Sequence, residues 1–187
     1  MHRLDENFAE CLVFTFKEGL LSAIAHDLKI AVTRFRIEVD ETARRIEGRF
    51  DANSLRVVCA MRDGKESEGT LGADQKREIE GNIVRYVLAS ASHPEIRFTS
   101  TSVAEEGAGF RVEGELALHG RTRPQAVSVR KDAGRYVATA RLHQPDFGIR
   151  PYSAMLGALK VKADVEVRIG VPWPPEGTGT GTAPAPA

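Results

Sequence analysis

Apolar and polar residues alternate with a period of two through much of this 187-residue chain. Ile96 and Phe98 share one parity of Glu95–Val103, continued by Ser100 and Ser102. Phe110, Val112, Gly114, Leu116 and Leu118 share one parity of Phe110–His119. Successive strand side chains point to opposite faces, so each run is a strand with one apolar face. The pattern recurs at Phe8–Phe16, Leu28–Val39, Arg45–Cys59, Gln125–Lys131, Arg135–His143 and Lys160–Val171. In Leu28–Val39 the apolar parity switches near Thr33-Arg34, which marks a bulge or a sharp bend.

One segment breaks the period. Ala73–Ser90 places Ile79, Ile83, Tyr86 and Val87 at helical spacing among charges, so it reads as an amphipathic surface helix, with Gly81 weakening it. Ser22–Asp27 is open between a helical turn and a loop. Pro145–Gly157 reads as an irregular crossing with a helical turn around Tyr152–Leu156. The expected fold is therefore all-β with one amphipathic helix: an eight-stranded antiparallel barrel over residues 1–171. Beyond it, residues 172–187 are rich in Pro, Gly, Thr and Ala and are expected to be disordered.

Repeated amphipathic strands must share an interior. By parity it is lined by Leu12, Phe14, Phe16, Ile30, Phe98, Phe110, Val112, Leu116, Leu118 and Leu142. Val127, Val129, Tyr136, Val165 and Val167 belong to the same set, and the crossing segment offers Tyr152 and Leu156. A small barrel interior is either filled by side chains or holds one apolar ligand, and parity by itself favours the filled core.

Composition narrows the classes. Lys and Arg number 26 and Asp and Glu 26, so there is no basic excess for nucleic-acid binding. No apolar run reaches the length of a membrane span. The charged start His2–Glu10 lacks the apolar core of a secretory leader, so the expected location is the cytoplasm. Cys11 and Cys59 lie in apolar strands without a motif and read as free, buried thiols.

Candidate chemistry is sparse. The five histidines show no metal-ligand spacing, and no nucleophile elbow or phosphate loop is present. Two alternatives to a binding protein remain. One is an enzyme using His26, His119 or His143 with Asp27 or Asp146 at the barrel mouth. The other is an interaction module whose helix or edge strand pairs with another copy, giving a homodimer.

Several stretches carry a resemblance in order and spacing: Gly48-Arg49-Phe50, His93–Thr101, Val112–Gly120 followed by Pro124, and Asp146-Phe147-Gly148-Ile149. Together with His26 near the second strand, they resemble the YceI-like family across residues 8–171. That resemblance implies a lipocalin-like, eight-stranded barrel binding a polyisoprenoid or isoprenoid quinone, with no other cofactor and no chemical step. It adds Phe147 and Ile149 to the lining candidates. The chain departs from the family pattern at His143-Gln144-Pro145, where an arginine is common, and in its longer charged helix.

Overall fold

A computed structural model describes residues 1–18, 26–154 and 159–172. Its main element is a curled antiparallel sheet of twelve strands. In chain order these are β1 (His2–Asp5), β2 (Glu10–Thr15), β4 (Asp27–Val32), β5 (Phe35–Asp40), β6 (Arg45–Asp51), β7 (Leu55–Arg62), β8 (Lys65–Ser67), β9 (Glu95–Glu106), β10 (Gly109–Leu118), β11 (Arg121–Asp132), β12 (Arg135–His143) and β15 (Asp164–Pro172). A small sheet joins β3 (Lys17–Glu18), β13 (Ser153–Ala154) and β14 (Leu159–Val161).

Twelve strands stand where eight are expected, for a physical reason. The expected second and third strands form one long hairpin, and both of its arms break at the same level. β5 pairs with β6, with Phe35 opposite Phe50, and β4 pairs with β7, with Val32 opposite Leu55. The parity switch expected at Thr33-Arg34 is this break. Arg45–Cys59 is accordingly two strands, with Gly48 inside β6. The short strands β1 and β8 add the two edges. The last expected strand is also interrupted, so Leu159–Val161 joins the small sheet.

The break in the hairpin is a hydrogen-bonded corner. Thr33 N–H donates to the Ser54 carbonyl at 3.0 Å, and Asp51 N–H donates to the Arg34 carbonyl at 3.0 Å. Ser54 is 0% exposed. Its hydroxyl accepts the Arg34 N–H at 3.1 Å and donates to the Asp51 carbonyl at 2.8 Å. Outside the corner, Arg34 Nε and Nη2 donate to Asp51 Oδ2 at 2.9 and 2.7 Å.

Below the corner the inner half of the hairpin stays with β2, and its outer half joins β9. Helix α1 (Ala73–Asn82), continued by the π turn Ile83–Val87, lies against β7. Val57 N–H donates to Glu80 Oε1 at 2.8 Å, and Lys76 Nζ donates to the Val58 carbonyl at 2.6 Å. Side chains of the helix thus satisfy a strand edge that would otherwise lie open. At its start, Gln75 Oε1 accepts the Gly72 N–H at 2.9 Å. The helix starts at Ala73 as expected, but the α-helix ends at Asn82 and a π turn carries it only to Val87, and Ile79, Ile83 and Val87 pack on the core.

Two smaller differences follow from turns. β11 begins at Arg121 because His119 and Gly120 both take positive φ, 51° and 72°, which allows a two-residue hairpin turn. The short helical turn of the crossing segment is a 3-10 turn at Gln144–Phe147 rather than Tyr152–Leu156. Tyr152 precedes β13, and Leu156 lies outside the described residues, as do Ser22–Ala25 and the tail beyond Pro172.

The corner makes stability sensitive to acid. Burial pushes the Asp51 carboxyl up, but the Asn53 N–H and the Arg34 guanidinium outweigh it, and the net pKa lies below the ordinary value. A carboxylate depressed in the folded state contributes stability above its unfolded pKa, about 3.9. That contribution is lost as pH falls through the folded value. Asp51→Asn is expected to flatten the fall in urea midpoint between pH 5 and pH 3. An unchanged slope in the variant would show that the corner carboxylate is not the acid-sensitive group.

Candidate functional site

The curled sheet and the helix enclose a cavity of about 890 Å³. That is near the top of the range for small-molecule sites, roughly 300–1,000 Å³. The walls are mostly aliphatic and aromatic. On β10, Phe110, Val112, Leu116 and Leu118 all face it, so the lumen follows that strand for about 27 Å at 3.4 Å per residue. Facing them are Leu28, Ile30 and Val32 from β4, Ile37 and Val39 from β5, and Val165, Val167, Ile169 and Val171 from β15. On β12 the inward residues are Tyr136, Ala138, Ala140 and Leu142. The two alanines keep that wall low and leave room where larger side chains would fill the interior.

Phe98 lies across the wall next to a residue that must be small. A Cβ on Gly114 would come within 2.5 Å of Phe98 Cζ and 2.6 Å of the Thr99 carbonyl oxygen. The β9–β10 register shifts at the same point, between Glu113 and Gly114. Gly114 belongs to the inward parity and serves by having no side chain.

Each end of the lumen is polar. Asp40, Glu41, Arg44, Arg45 and Glu105 stand at the end where the β5–β6 and β9–β10 turns lie. At the opposite end are Lys17, His26, Asn82, Gln144, Tyr152 and Lys160. There Asn82 Nδ2 donates to Tyr152 Oη at 3.4 Å, and Lys160 Nζ pairs with Glu18 Oε1 at 2.9 Å.

Most expected lining residues reach the wall: Ile30, Phe98, Phe110, Val112, Leu116, Leu118, Leu142, Ile149 and Tyr152. Four do not. On β2 the inward set is Cys11, Val13 and Thr15, so Leu12, Phe14 and Phe16 face the other way. Both parities of β2 are apolar, and the larger side chains point to the wrong face. Phe14 is instead covered by the Arg168 guanidinium, 4.8 Å from its ring centroid. Phe147 is 2% exposed but sits behind the wall, where its carbonyl meets His119 Nδ1 at 3.3 Å. Leu156 lies outside the described residues. Sequence reading missed the contribution of the helix, whose Ile79, Ile83 and Val87 line the lumen. Their helical spacing was the available signal.

The groups of the enzyme reading do not converge on one another. His26 faces the lumen, while Asp27 Oδ1 accepts the Lys17 N–H at 2.7 Å. His119 packs against His93, ring centroids 4.8 Å apart. His143 Nδ1 bonds Asp164 Oδ1 at 2.8 Å on the exposed face. None of the three bonds Asp27 or Asp146 among the described residues. No cluster of three or more His, Cys, Asp or Glu able to hold a metal occurs among them either. No helix among them is long and apolar enough to cross a membrane.

With this geometry in place, the comparisons with known proteins agree on the class. The profile of the YceI-like domain matches residues 12–172, and the chain belongs to that family. Solved structures share the fold at low identity. BcnA of Burkholderia cenocepacia is 12% identical with a TM-score of 0.56, over 87% of this chain and 94% of that one. A polyisoprenoid-binding domain from Saccharophagus degradans implicated in plant cell wall breakdown is 14% identical with a TM-score of 0.53, over 87% and 91%. The YceI protein of Campylobacter jejuni is 10% identical with a TM-score of 0.51, over 77% and 82%. No curated protein matches the chain.

Cys11 reports on the dryness of the wall. Both cysteines are free and buried. Burial, with the nearby Glu10 charge adding to it, pushes the Cys11 thiol up to about 12. The thiolate is the nucleophile, so Cys11 stays neutral and inert through ordinary alkaline pH. In the native protein at pH 8.5, iodoacetamide is expected to leave Cys11 unlabelled over hours and to label it promptly in guanidinium. Equal native and denatured labelling by mass spectrometry would overturn this description of the lumen wall.

Proposed function

We propose that this protein binds a long apolar molecule of the polyisoprenoid class in its lumen and carries, stores or shields it without a chemical step. The observation that carries the reading is the elongated cavity of about 890 Å³ with aliphatic and aromatic walls. Removing apolar surface from water stabilises a complex by about 25 cal/mol per Å². A chain threaded along the lumen would bury nearly all its surface. The family assignment and the polyisoprenoid-binding description of the Saccharophagus degradans domain support the same class. Within that class an isoprenoid quinone, in its oxidised or hydroquinone form, is one proposed candidate. In this reading the curled sheet acts as a lipocalin-like barrel whose inward faces are ligand contacts.

The protein produced in bacteria is expected to co-purify with an apolar ligand that organic extraction and mass spectrometry detect. Ala138→Trp places an indole in the lumen and is expected to reduce the extracted lipid at least severalfold. Thr139→Trp on the opposite face of the same strand is the control and is expected to retain it. An apolar extract that is empty for the unaltered protein, or unaffected by Ala138→Trp, would count against the lumen as the binding site.

A further inference from the structure

We propose that Gln144 fixes the polar end of the bound molecule by accepting a hydrogen bond from a ligand hydroxyl. The inference rests on the lumen being the binding site and goes on to its headgroup chemistry. Gln144 continues the inward parity of Ala140 and Leu142 and is 7% exposed. Its Nε2 donates to the Lys162 carbonyl at 3.0 Å and the Ala163 carbonyl at 3.3 Å. Its backbone N–H donates to the Ala163 carbonyl at 2.9 Å. An amide nitrogen has two protons and both have acceptors, which fixes which side of the amide is oxygen.

Oε1 therefore faces away from those carbonyls, and no group among the described residues donates to it. The oxygen keeps accessible surface, so water or a ligand in the lumen can reach it. Here it stands on the wall of an apolar cavity, at the end that also holds Tyr152. The Tyr152 oxygen accepts from Asn82 and keeps its own proton to donate. The acceptor selects a ligand that brings a proton. A hydroxyl does so. A ketone oxygen, an ether or a fully ionised phosphate does not, and would set two lone pairs against each other.

The test uses the full chain stripped of lipid. It is equilibrated in detergent with equal amounts of geranylgeraniol, its methyl ether and geranylgeranyl diphosphate. The protein is repurified, and the bound species are quantified by mass spectrometry. The alcohol is expected to exceed the ether about fivefold, the size of one ordinary hydrogen bond. In Gln144→Leu and Gln144→Met the ratio is expected to approach one. Should neither variant fold, the ratio on the unaltered protein still decides.

A second mixture pairs an isoprenoid hydroquinone with its quinone. An excess of hydroquinone supports the same contact, and its rank against the alcohol tells a ring hydroxyl from a chain-end one. Equal binding of alcohol and ether, or preference for the diphosphate, overturns the role of Gln144 while leaving the lumen as the site. Binding of none of these probes defeats the lipid-binding reading itself.

Discussion

The corner in the long hairpin is the constraint on which the molecule turns. A straight hairpin of this length would leave a flat sheet with two exposed faces, and no interior would form. Buried Ser54 holds the bend by satisfying backbone groups that the interrupted ladder leaves without partners. The same corner fixes what lies next to it. Ala52 N–H donates to the Pro94 carbonyl at 2.9 Å, which sets the start of β9. Ser90 Oγ donates to Asn53 Oδ1 at 2.6 Å, which ties down the segment leaving the helix. Sheet curvature and helix placement are thus decided together.

The helix completes what the corner begins. Above the corner β6 continues the sheet into β9, but below it the edge of β7 away from β4 has no partner strand over Val57 and Val58. Glu80 and Lys76 supply the missing acceptor and donor. Ile79, Ile83 and Val87 then present an apolar face to the lumen. The π turn marks the passage from edge cover to lumen wall, with Leu88 N–H reaching back to the Ile83 carbonyl at 2.9 Å.

Legibility in the sequence followed the contrast between strand faces. β10 and β15 alternate cleanly, so Phe110, Val112, Leu116, Leu118, Val165 and Val167 could be oriented by parity. In β2 both faces are apolar, so parity alone could not decide between the face of Leu12 and Phe14 and that of Cys11 and Val13. Local hydrophobicity could not reveal that Arg168 on the neighbouring strand would cover Phe14. The helix was legible as an element but its apolar stripe was assigned to a surface, because the gap beneath β7 is a property of the topology. Gln144 carried a readable signal, the parity of Ala140 and Leu142, which the following Pro145 obscured by announcing a break. Strand number was the hardest quantity, since a corner held by two backbone bonds leaves only a parity switch in the sequence.

The size of the lumen bears on what must fill it. Residual cavities in protein cores destabilise by about 24 cal/mol per Å³. At that rate about 890 Å³ of void would cost about 20 kcal/mol. Domains of ordinary stability have only 5–15 kcal/mol in total. The lumen therefore cannot stand as a dry void, and water or a ligand occupies it. Ordered water needs two to four polar partners at each position. Walls such as Ile30, Val112, Leu116 and Val167 offer none, and between the two polar ends the lining adds only a few polar side chains, Gln125 opposite Gly114 and Gln75 and Glu78 of the helix among them. Water in the middle would be poorly bonded and favourably displaced, and a long apolar chain with its polar group at one end matches that distribution.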